Sequence, residues 1–528
     1  MTEDQVAKLV EYLNNRNISA KLLDNDSSEV DIVFTVPINK KDFECICCLS
    51  DTFPNTFPVI KVGNELFEIV KDMPHIDSDK VLCTFDKGVV VPNRDAPEEL
   101  VYKTIVKAIC ILLDGVAGDN KSDFIDEFYA YIGKRCNPGD SIIVGSYDDL
   151  NDFSYKVGNF IFLNKSSALK FSNDFLKIPV FEISPEDLLN FDYTVKNLYK
   201  ITNKRNNLVY SFDKKTSILI HTIVDDAHYF LEMEIPKFCR MDGFRKTIKP
   251  ANIFAMQNEL NSNKKVICSM CQNAIQEYLY KRGSDGTDFS NQKVKIVGCG
   301  SVGSTLAYTL KDFGVINYQL VDNERLVTDN IGRHICGIKY VRKKKVEALK
   351  EVLLDHNKNI ICDTYCTDAY KYIDNYCSDG AILFETTGEL NICLTLIDKK
   401  KDSAIKDKIV IMWVEPYCAS CHMIVLNNSN IDRNTLFDEE GTFKFNALHN
   451  GSSLNKRFSG CQSTFIPYNG SVVKMFVARV LTELFSNRLN NENNYVLSFT
   501  GDIDRLKDVG CIFKNKFKNF ELKIEVLK

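Results

Sequence analysis

The stretch Val294-Lys-Ile-Val-Gly-Cys-Gly-Ser-Val-Gly303 constrains this chain more than any other. A short apolar run (Val294, Ile296, Val297) ends in Gly298-x-Gly300-x-x-Gly303, and a helical pattern running to Leu310 starts at once. Strand, tight glycine turn and helix N-terminus together make a phosphate cradle. The glycines let the backbone come close, and the first N–H groups of the helix, with its dipole, face the anion. A second apolar run, Tyr318-Gln-Leu-Val-Asp322, puts a carboxylate about 20 residues past the turn, where a ribose-binding acid belongs. From Lys293 onward strands alternate with helices, which predicts an α/β domain with a mostly parallel sheet.

At 528 residues the chain has room for several domains. The net charge of -5 argues against a nucleic-acid binder held by bulk charge. No apolar run approaches the ~20 residues of a membrane span, and Met1-Thr-Glu-Asp-Gln lacks the basic and apolar regions of an export signal. The 19 cysteines therefore read as reduced thiols in a cytoplasmic protein. Cys45, Cys47, Cys48 and Cys110 fall in apolar patterns and are expected in the core.

Ahead of the glycine turn, residues 1 to 13 have helical spacing. Strand-like runs follow at Val30–Val36, Phe43–Leu49 and Phe57–Val62, then an irregular stretch from Met73 to Asp86, and a helix that opens at Ala96-Pro97. Residues 122 to 265 mix Phe- and Tyr-rich strands (Ser141–Gly145, Phe160–Leu163, Ser217–His221) with helices and carry no chemical motif.

Past Asp322 the chain reads Asn323-Glu324-Arg, then Asn330-Ile-Gly-Arg333 and Lys345. A hydride-transfer domain has no need of these cations behind its ribose acid. An adenylating enzyme does, because negative charge crowds the five-coordinate phosphorus when a carboxylate attacks ATP. The stretch from Val294 to Lys345 resembles the ubiquitin-activating adenylyltransferase superfamily of ThiF and MoeB type. That resemblance implies ATP and Mg2+ as cofactors. It places Asp322 on ribose and Asn330, Arg333 and Lys345 at the phosphates, with Gly298, Gly300, Gly303 and Glu324 completing the nucleotide-binding set. The family commonly has a magnesium-holding Asp after a later strand. Gly388 stands there in this chain, which leaves Glu385 and Glu389 as the carboxylates near the metal.

In this superfamily the acyl adenylate is commonly captured by a cysteine, and a thiolate suits that role. Cys461, in Lys456-Arg-Phe-Ser-Gly-Cys461, is the candidate, with small neighbours for access and two cations to lower its pKa. Near the N-terminus, Phe53-Pro-Asn-Thr-Phe57-Pro58 and Met73-Pro74-His75 followed by Cys83 resemble the ubiquitin-conjugating fold. That family has His-Pro-Asn eight residues before its catalytic cysteine; here His75 takes the Asn place. The resemblance makes Cys83 a second thioester cysteine and His75 an oxyanion donor or proton acceptor. A rival pattern, Cys268-x-x-Cys271 with Cys418-x-x-Cys421, has the ligands of a four-sulfur zinc site.

The expected organisation is a ubiquitin-conjugating-like α+β domain (1–118), an α+β linking domain (119–265) and a Rossmann-like ThiF-type adenylation domain (266–528). That order resembles the bacterial conjugation enzymes of antiphage operons, the CBASS CD-NTase-associated type. It implies activation of a C-terminal carboxylate, of a cGAS/DncV-like CD-NTase or a ubiquitin-like protein. Transfer would run from Cys461 to Cys83 and on to a lysine of an acceptor protein, in a homodimer. A sulfur-carrier adenylyltransferase, a NAD-dependent oxidoreductase and a non-catalytic scaffold are the alternatives.

Overall fold

A computed structural model describes residues 3–23, 30–71, 73–77, 79–85, 91–119, 123, 128–189, 191–202, 210–224, 226–239, 249–283, 289–457, 464–486 and 492–527. The chain forms two compact units, Met1–Ile275 and Gln276–Lys528.

The first unit begins with a five-stranded antiparallel sheet in chain order: β1 (Ala20–Leu23), β2 (Val30–Ile38), β3 (Lys41–Leu49), β4 (Val59–Val62) and β5 (Val81–Leu82). Side chains alternate across a strand, so Ile32, Phe34 and Val36 of β2 share a face with Phe43, Cys45 and Cys47 of β3. Two helices cover that face. Glu3–Asn14 brings Leu9 and Leu13, and Pro97–Ala117 brings Val101, Ile105, Ala108 and Leu112, a stripe at helical spacing. Cys110 lies off that stripe and is exposed, not core as its apolar neighbours suggest; Cys45, Cys47 and Cys48 are buried.

Seven further strands of this unit close into a barrel: β6 (Asn137–Val144), β7 (Phe153–Val157), β8 (Phe160–Phe162), β9 (Leu176–Glu182), β10 (Thr216–Val224), β11 (Ala227–Ile235) and β12 (Ile267–Asn273). They run in the order β10-β11-β12-β6-β8-β7-β9, and β9 pairs back onto β10. Because β12 closes the barrel, the unit continues past residue 265, where the sequence places a boundary. Leu219 packs with Ile143, Ile161 and Phe230 on one side of β10. Its neighbours Ile218 and Ile220 pack with Leu188 and Leu198 on the other. Cys136 and Cys268 form a disulfide between residues 132 apart. The all-reduced expectation is therefore corrected, because neighbouring strands of the barrel bring two distant thiols together.

The second unit is the α/β domain that the glycine turn predicts. Its eight strands are β13 (Lys293–Val297), β14 (Asn317–Val321), β15 (Ile361–Tyr365), β16 (Ile382–Glu385), β17 (Lys408–Val414), β18 (Ser420–Leu426), β21 (Tyr495–Thr500) and β22 (Leu522–Val526), after a small hairpin of β19 (Lys456–Arg457) and β20 (Thr464–Phe465). The order is β15-β14-β13-β16-β17-β18-β21-β22. The first five are parallel and the last three antiparallel. Both faces are covered, as a parallel sheet demands. Val294 and Ile296 pack under the helices Ser301–Asp312 and Gly470–Phe485, and Val297 packs under the helix Leu390–Lys401. Each such aliphatic side chain contributes about 1.5–3 kcal/mol by leaving water. The chain leaves β13 for β14 on one side and returns to β16 on the other. Open α/β sheets hold ligands at that reversal, at the carboxyl ends of the strands.

Candidate functional site

A cavity of about 220 Å³ opens there, lined by the glycine turn (Gly298, Gly300), the end of β14 (Val321 to Glu324), Lys345, Thr367 to Tyr370 and the Thr386–Glu389 segment with Ile392. Its floor depends on glycine at two positions. Gly298 has φ +90, and a Cβ there would lie 2.7 Å from the Thr387 nitrogen. A Cβ at Gly303 would lie 1.9 Å from the Gly298 carbonyl oxygen, so only glycine lets the helix sit against the turn. A Cβ at Gly300 would meet nothing within 4 Å, because that position faces the open cavity. Gly300 caps the helix Ser301–Asp312, which points its first N–H groups toward the cavity. Two side chains brace the turn from behind. Thr386 Oγ1 donates to the Gly298 carbonyl (2.6 Å). Buried His334 accepts from Cys336 N–H at Nδ1 (3.0 Å) and donates from Nε2 to the Cys299 carbonyl (2.8 Å). Burial lowers the His334 pKa, so the ring is held neutral. Cys299 stands in the turn, but its buried thiol is pushed well above the ordinary range and is no nucleophile.

The Asp322 carboxylate accepts from Cys299 N–H and from Glu324 N–H, both at 2.8 Å. These bonds fix its orientation at the lip of the cavity, and each oxygen keeps a further lone pair for a hydroxyl. Lys345 begins the helix Lys345–His356, is 6% exposed, and pairs through Nζ with the largely exposed Glu324. Its backbone N–H also donates to the Glu324 carbonyl (3.0 Å). A buried cation is thus held beside the cavity by a carboxylate that is free to exchange with solvent.

Asn330 and Arg333 do not line this cavity. Asn330 Oδ1 accepts from Val327 N–H (3.1 Å) and caps the short helix Thr328–Ile331. Arg333 donates to the Ile466 carbonyl (3.1 Å), and its guanidinium lies 4.7 Å from the Tyr468 ring centroid. Its side chain therefore meets the segment just after β20.

Beside the first cavity lies a second, of about 160 Å³, and Glu389 lines both. Glu385, at the end of β16, faces the second. Its carboxylate accepts from the Thr387 N–H (2.7 Å) and hydroxyl, and burial raises its pKa to about 7. Gly388 adopts φ +75 and presents no side chain. Of the carboxylates around the first cavity, Asp322 and Asp368 accept backbone N–H groups and Glu324 holds Lys345. Among the described residues, Glu389 is the lining carboxylate with no hydrogen bond or ion pair. Of Glu385 and Glu389, it is the one whose carboxylate is unengaged at the first cavity, and among the described residues no group of three or more His, Cys, Asp or Glu converges to hold a metal ion.

In the first unit, residues 75–77 pair with residues 81–83 as the two sides of a tight hairpin. Asp77 N–H donates to the Val81 carbonyl (3.0 Å), Ile76 bridges Leu82, and Cys83 N–H donates to the His75 carbonyl (2.7 Å). Asp77 Oδ1 accepts from Asp79 and Val81 N–H and holds the turn. His75 and the exposed Cys83 thus stand opposite each other, the eight-residue spacing being one strand out and one strand back. His75 has φ +66, and its Nε2 lies 3.0 Å from Asp123 Oδ2. Asp123 is a residue that sequence reasoning missed; it is 48 positions from His75 and belongs to no motif.

Cys461 lies outside the described residues, between the paired strands β19 and β20. The zinc pattern is not supported. Cys268 is bonded to Cys136, and the Cys271 and Cys418 thiols are pushed up to about 12 by burial.

Residues 277–502 match the family model described as the ThiF family, and residues 8–137 match that of prokaryotic E2 family B. A stretch of 111 residues is 32% identical to the ATP-dependent ubiquitin transferase-like protein Cap2 of Enterobacter hormaechei subsp. hoffmannii (strain UCI 50). That match takes in 21% of this chain and 18% of the relative, so the chain spans about a fifth of that protein's length. Among solved structures, PaaA is 13% identical over 54% of this chain and 76% of its own, with a TM-score of 0.32. Escherichia coli MccB with ATP is 16% identical over 56% of this chain and 73% of its own, with a TM-score of 0.31. The polypeptide accordingly joins a ThiF-family domain, in its second unit, to an amino-terminal prokaryotic E2 family B domain in its first.

Proposed function

We propose that this chain activates the C-terminal carboxylate of a polypeptide with ATP and conjugates it to an amine. The observation that carries this reading is one cavity that brings together the glycine turn, Asp322 and buried Lys345, in a chain that also has the exposed Cys83 facing His75 across a hairpin. The turn's N–H groups and the helix N-terminus face the phosphates, and Asp322 accepts from the ribose hydroxyls. A tail carboxylate oxygen attacks the α-phosphorus, the bond to pyrophosphate breaks, and an acyl adenylate remains. Lys345 exchanges Glu324 for the phosphate oxygens and stabilises the charge that gathers there. Glu389 would hold Mg2+, which when bound neutralises phosphate charge.

The Cys461 thiolate attacks the acyl carbon and AMP leaves. The Cys83 thiolate then attacks the thioester and Cys461 leaves. A lysine amine attacks the second thioester and Cys83 leaves, with Asp123 orienting the His75 imidazole beside the reacting centre. Successive thioesters are close in energy, so the drive supplied by ATP survives each exchange. Arg333 takes no part in the first cavity as the chain stands. It enters the reaction if the segment after Cys461 moves when the acyl group is transferred.

The activated protein is, on this reading, a cGAS-like CD-NTase of an antiphage CBASS system or a ubiquitin-like protein, and the enzyme works as a cytoplasmic homodimer. Sharing a stretch with Cap2 supports that assignment. A sulfur-carrier adenylyltransferase would use the second unit alone and gives the E2-type domain no task. The test is intact-mass analysis under non-reducing conditions after incubation with ATP and a candidate CD-NTase. A thiol-labile adduct is expected on the wild type. Cys461→Ala should abolish it, whereas Cys83→Ala should leave it on Cys461. Loading of Cys83 in the Cys461→Ala chain would overturn the relay.

A further inference from the structure

The second cavity, beside the nucleotide cleft, is walled on one side by aromatic and aliphatic side chains. Its apolar walls are Leu390 and Cys393 of one helix, Ile411 and Trp413 of β17, and Phe437 and Phe443 of the stretch after β18, and Glu385, Glu389 and Asn446 also line it. Trp413 and Phe443 meet edge to face at 4.7 Å, and Phe443 meets Phe437 at 5.6 Å. A polar network behind this aromatic wall fixes it. Buried His422 donates from Nε2 to Glu415 (2.6 Å), and its Nδ1 lies 2.9 Å from Ser498 Oγ. Glu415 also accepts from Ala447 and Leu448 N–H, which ties down the loop carrying Phe443 and Asn446. His422 in turn packs its ring 5.3 Å from Trp413 and 5.1 Å from Phe443. A fully satisfied buried network of this kind makes the wall rigid. Two acids line the cavity: Glu385 is turned onto Thr387, and Glu389 stands where it borders the first cavity.

The volume is about 160 Å³. By size alone, a cavity of roughly 150 Å³ takes up benzene, so a leucine, methionine or phenylalanine side chain fits against the aromatic wall. The two cavities meet at Glu389 and the Thr386–Gly388 turn, on the far side of Asp322 from Thr367–Tyr370. With ribose on Asp322 and phosphates on the glycine turn, as proposed, the strand order β14-β13-β16 sets the phosphates next to that junction.

Resting on the adenylation reading above, we propose that this second cavity selects the polypeptide to be activated by receiving the apolar side chain of its last residue. The terminal carboxylate then lies at the junction, facing the nucleotide. An adenine ring is the competing occupant, and the test separates the two.

The probe is a set of fluorescein-labelled decapeptides identical except for a final Leu, Phe, Gly or Asp. Binding to the full chain is read by anisotropy in α,β-methylene-ATP, whose uncleavable α–β bridge keeps it from transferring its adenylyl group. Leu and Phe ends should bind at least tenfold more tightly than Gly or Asp ends, as removal of an apolar side chain from a fitted pocket does. Leu390→Trp, at an exposed helix start, should fill the cavity and level the four affinities while ATP affinity stays within twofold. Equal binding of all four peptides by the wild type, or binding of none, overturns the proposal. So does a Leu390→Trp chain that loses ATP, which would give the cavity to the base. Pyrophosphate exchange with the same peptides is read separately. Exchange without ranking sinks the pocket and keeps the adenylation reading; ranking without exchange does the reverse.

Discussion

Lys345 and Glu385 are both buried at the site, yet the protein treats their charges in opposite ways. Lys345 keeps a partner, Glu324, that water can replace. Lys345→Ala should therefore fold normally and lose ATP–pyrophosphate exchange by about 10²- to 10³-fold, the size of effect seen when one fixed donor at a developing charge is removed. Glu385 has no cation, and burial is the first cause of its rise to about 7. Its folded pKa exceeds the unfolded one, so the native state binds more protons between pH 4.5 and 7. The stability that this gives is complete below pH 4.5 and disappears as pH rises through 7. Chemical denaturation at pH 5 and pH 8 should show the wild type losing roughly 2–4 kcal/mol more than Glu385→Gln over that interval. Equal slopes for the two proteins would mean that Glu385 ionises freely in the fold. Asp322, Glu324 and Lys345 can all be read from the sequence because each follows the turn at short range. Glu389 is named by the sequence only as one of a pair with Glu385, and the fold chooses between them; Asp123 cannot be read at all, since only the folded backbone brings it to His75.

The strand–turn–helix element can be separated into a structural and a binding glycine. Gly303→Ala places a methyl on the Gly298 carbonyl and should push the helix off the turn. The cost is about 1–3 kcal/mol, seen as a lower melting temperature together with lost nucleotide binding. Gly300→Ala meets no atom and should leave the melting temperature unchanged while weakening ATP by tenfold or more in calorimetry. If Gly300→Ala binds ATP normally, the phosphates do not sit on this turn. Elements of this kind are legible because period and punctuation are local. The barrel is not. Its strands are individually visible at Ser141, Phe160 and Ser217, but closure depends on β12 meeting β6 across more than a hundred residues. The Cys136–Cys268 bond follows from the same pairing and was hidden for the same reason. Arg333 shows the limit from the other side. Its motif position was plain, whereas its direction is set by Ile466 and Tyr468, far along the chain.

The proposed relay divides the chemistry of the whole molecule between its two units, adenylation in the second and the amine step in the first. Cys83→Ser and Asp123→Asn should each keep pyrophosphate exchange within twofold of wild type. Conjugate formation should vanish in Cys83→Ser. In Asp123→Asn it should fall by about tenfold, less than the ~10²- to 10⁴-fold of a proton acceptor itself, because Asp123 acts only through His75. Asp123→Glu should recover part of that loss if orientation of His75 is what matters. Loss of exchange in either variant would show that the units are not separable in function.

The hairpin of residues 75 to 83 works as a ruler. Its histidine and cysteine face each other because equal numbers of residues lie on either side of the bend. Ile76 and Leu82 must stay apolar for the core and Asp77 must hold the turn, yet no set of letters is enough by itself, since a single insertion would turn one of the pair to the opposite face. What descendants of this gene must inherit between those two positions, besides such letters, is a count.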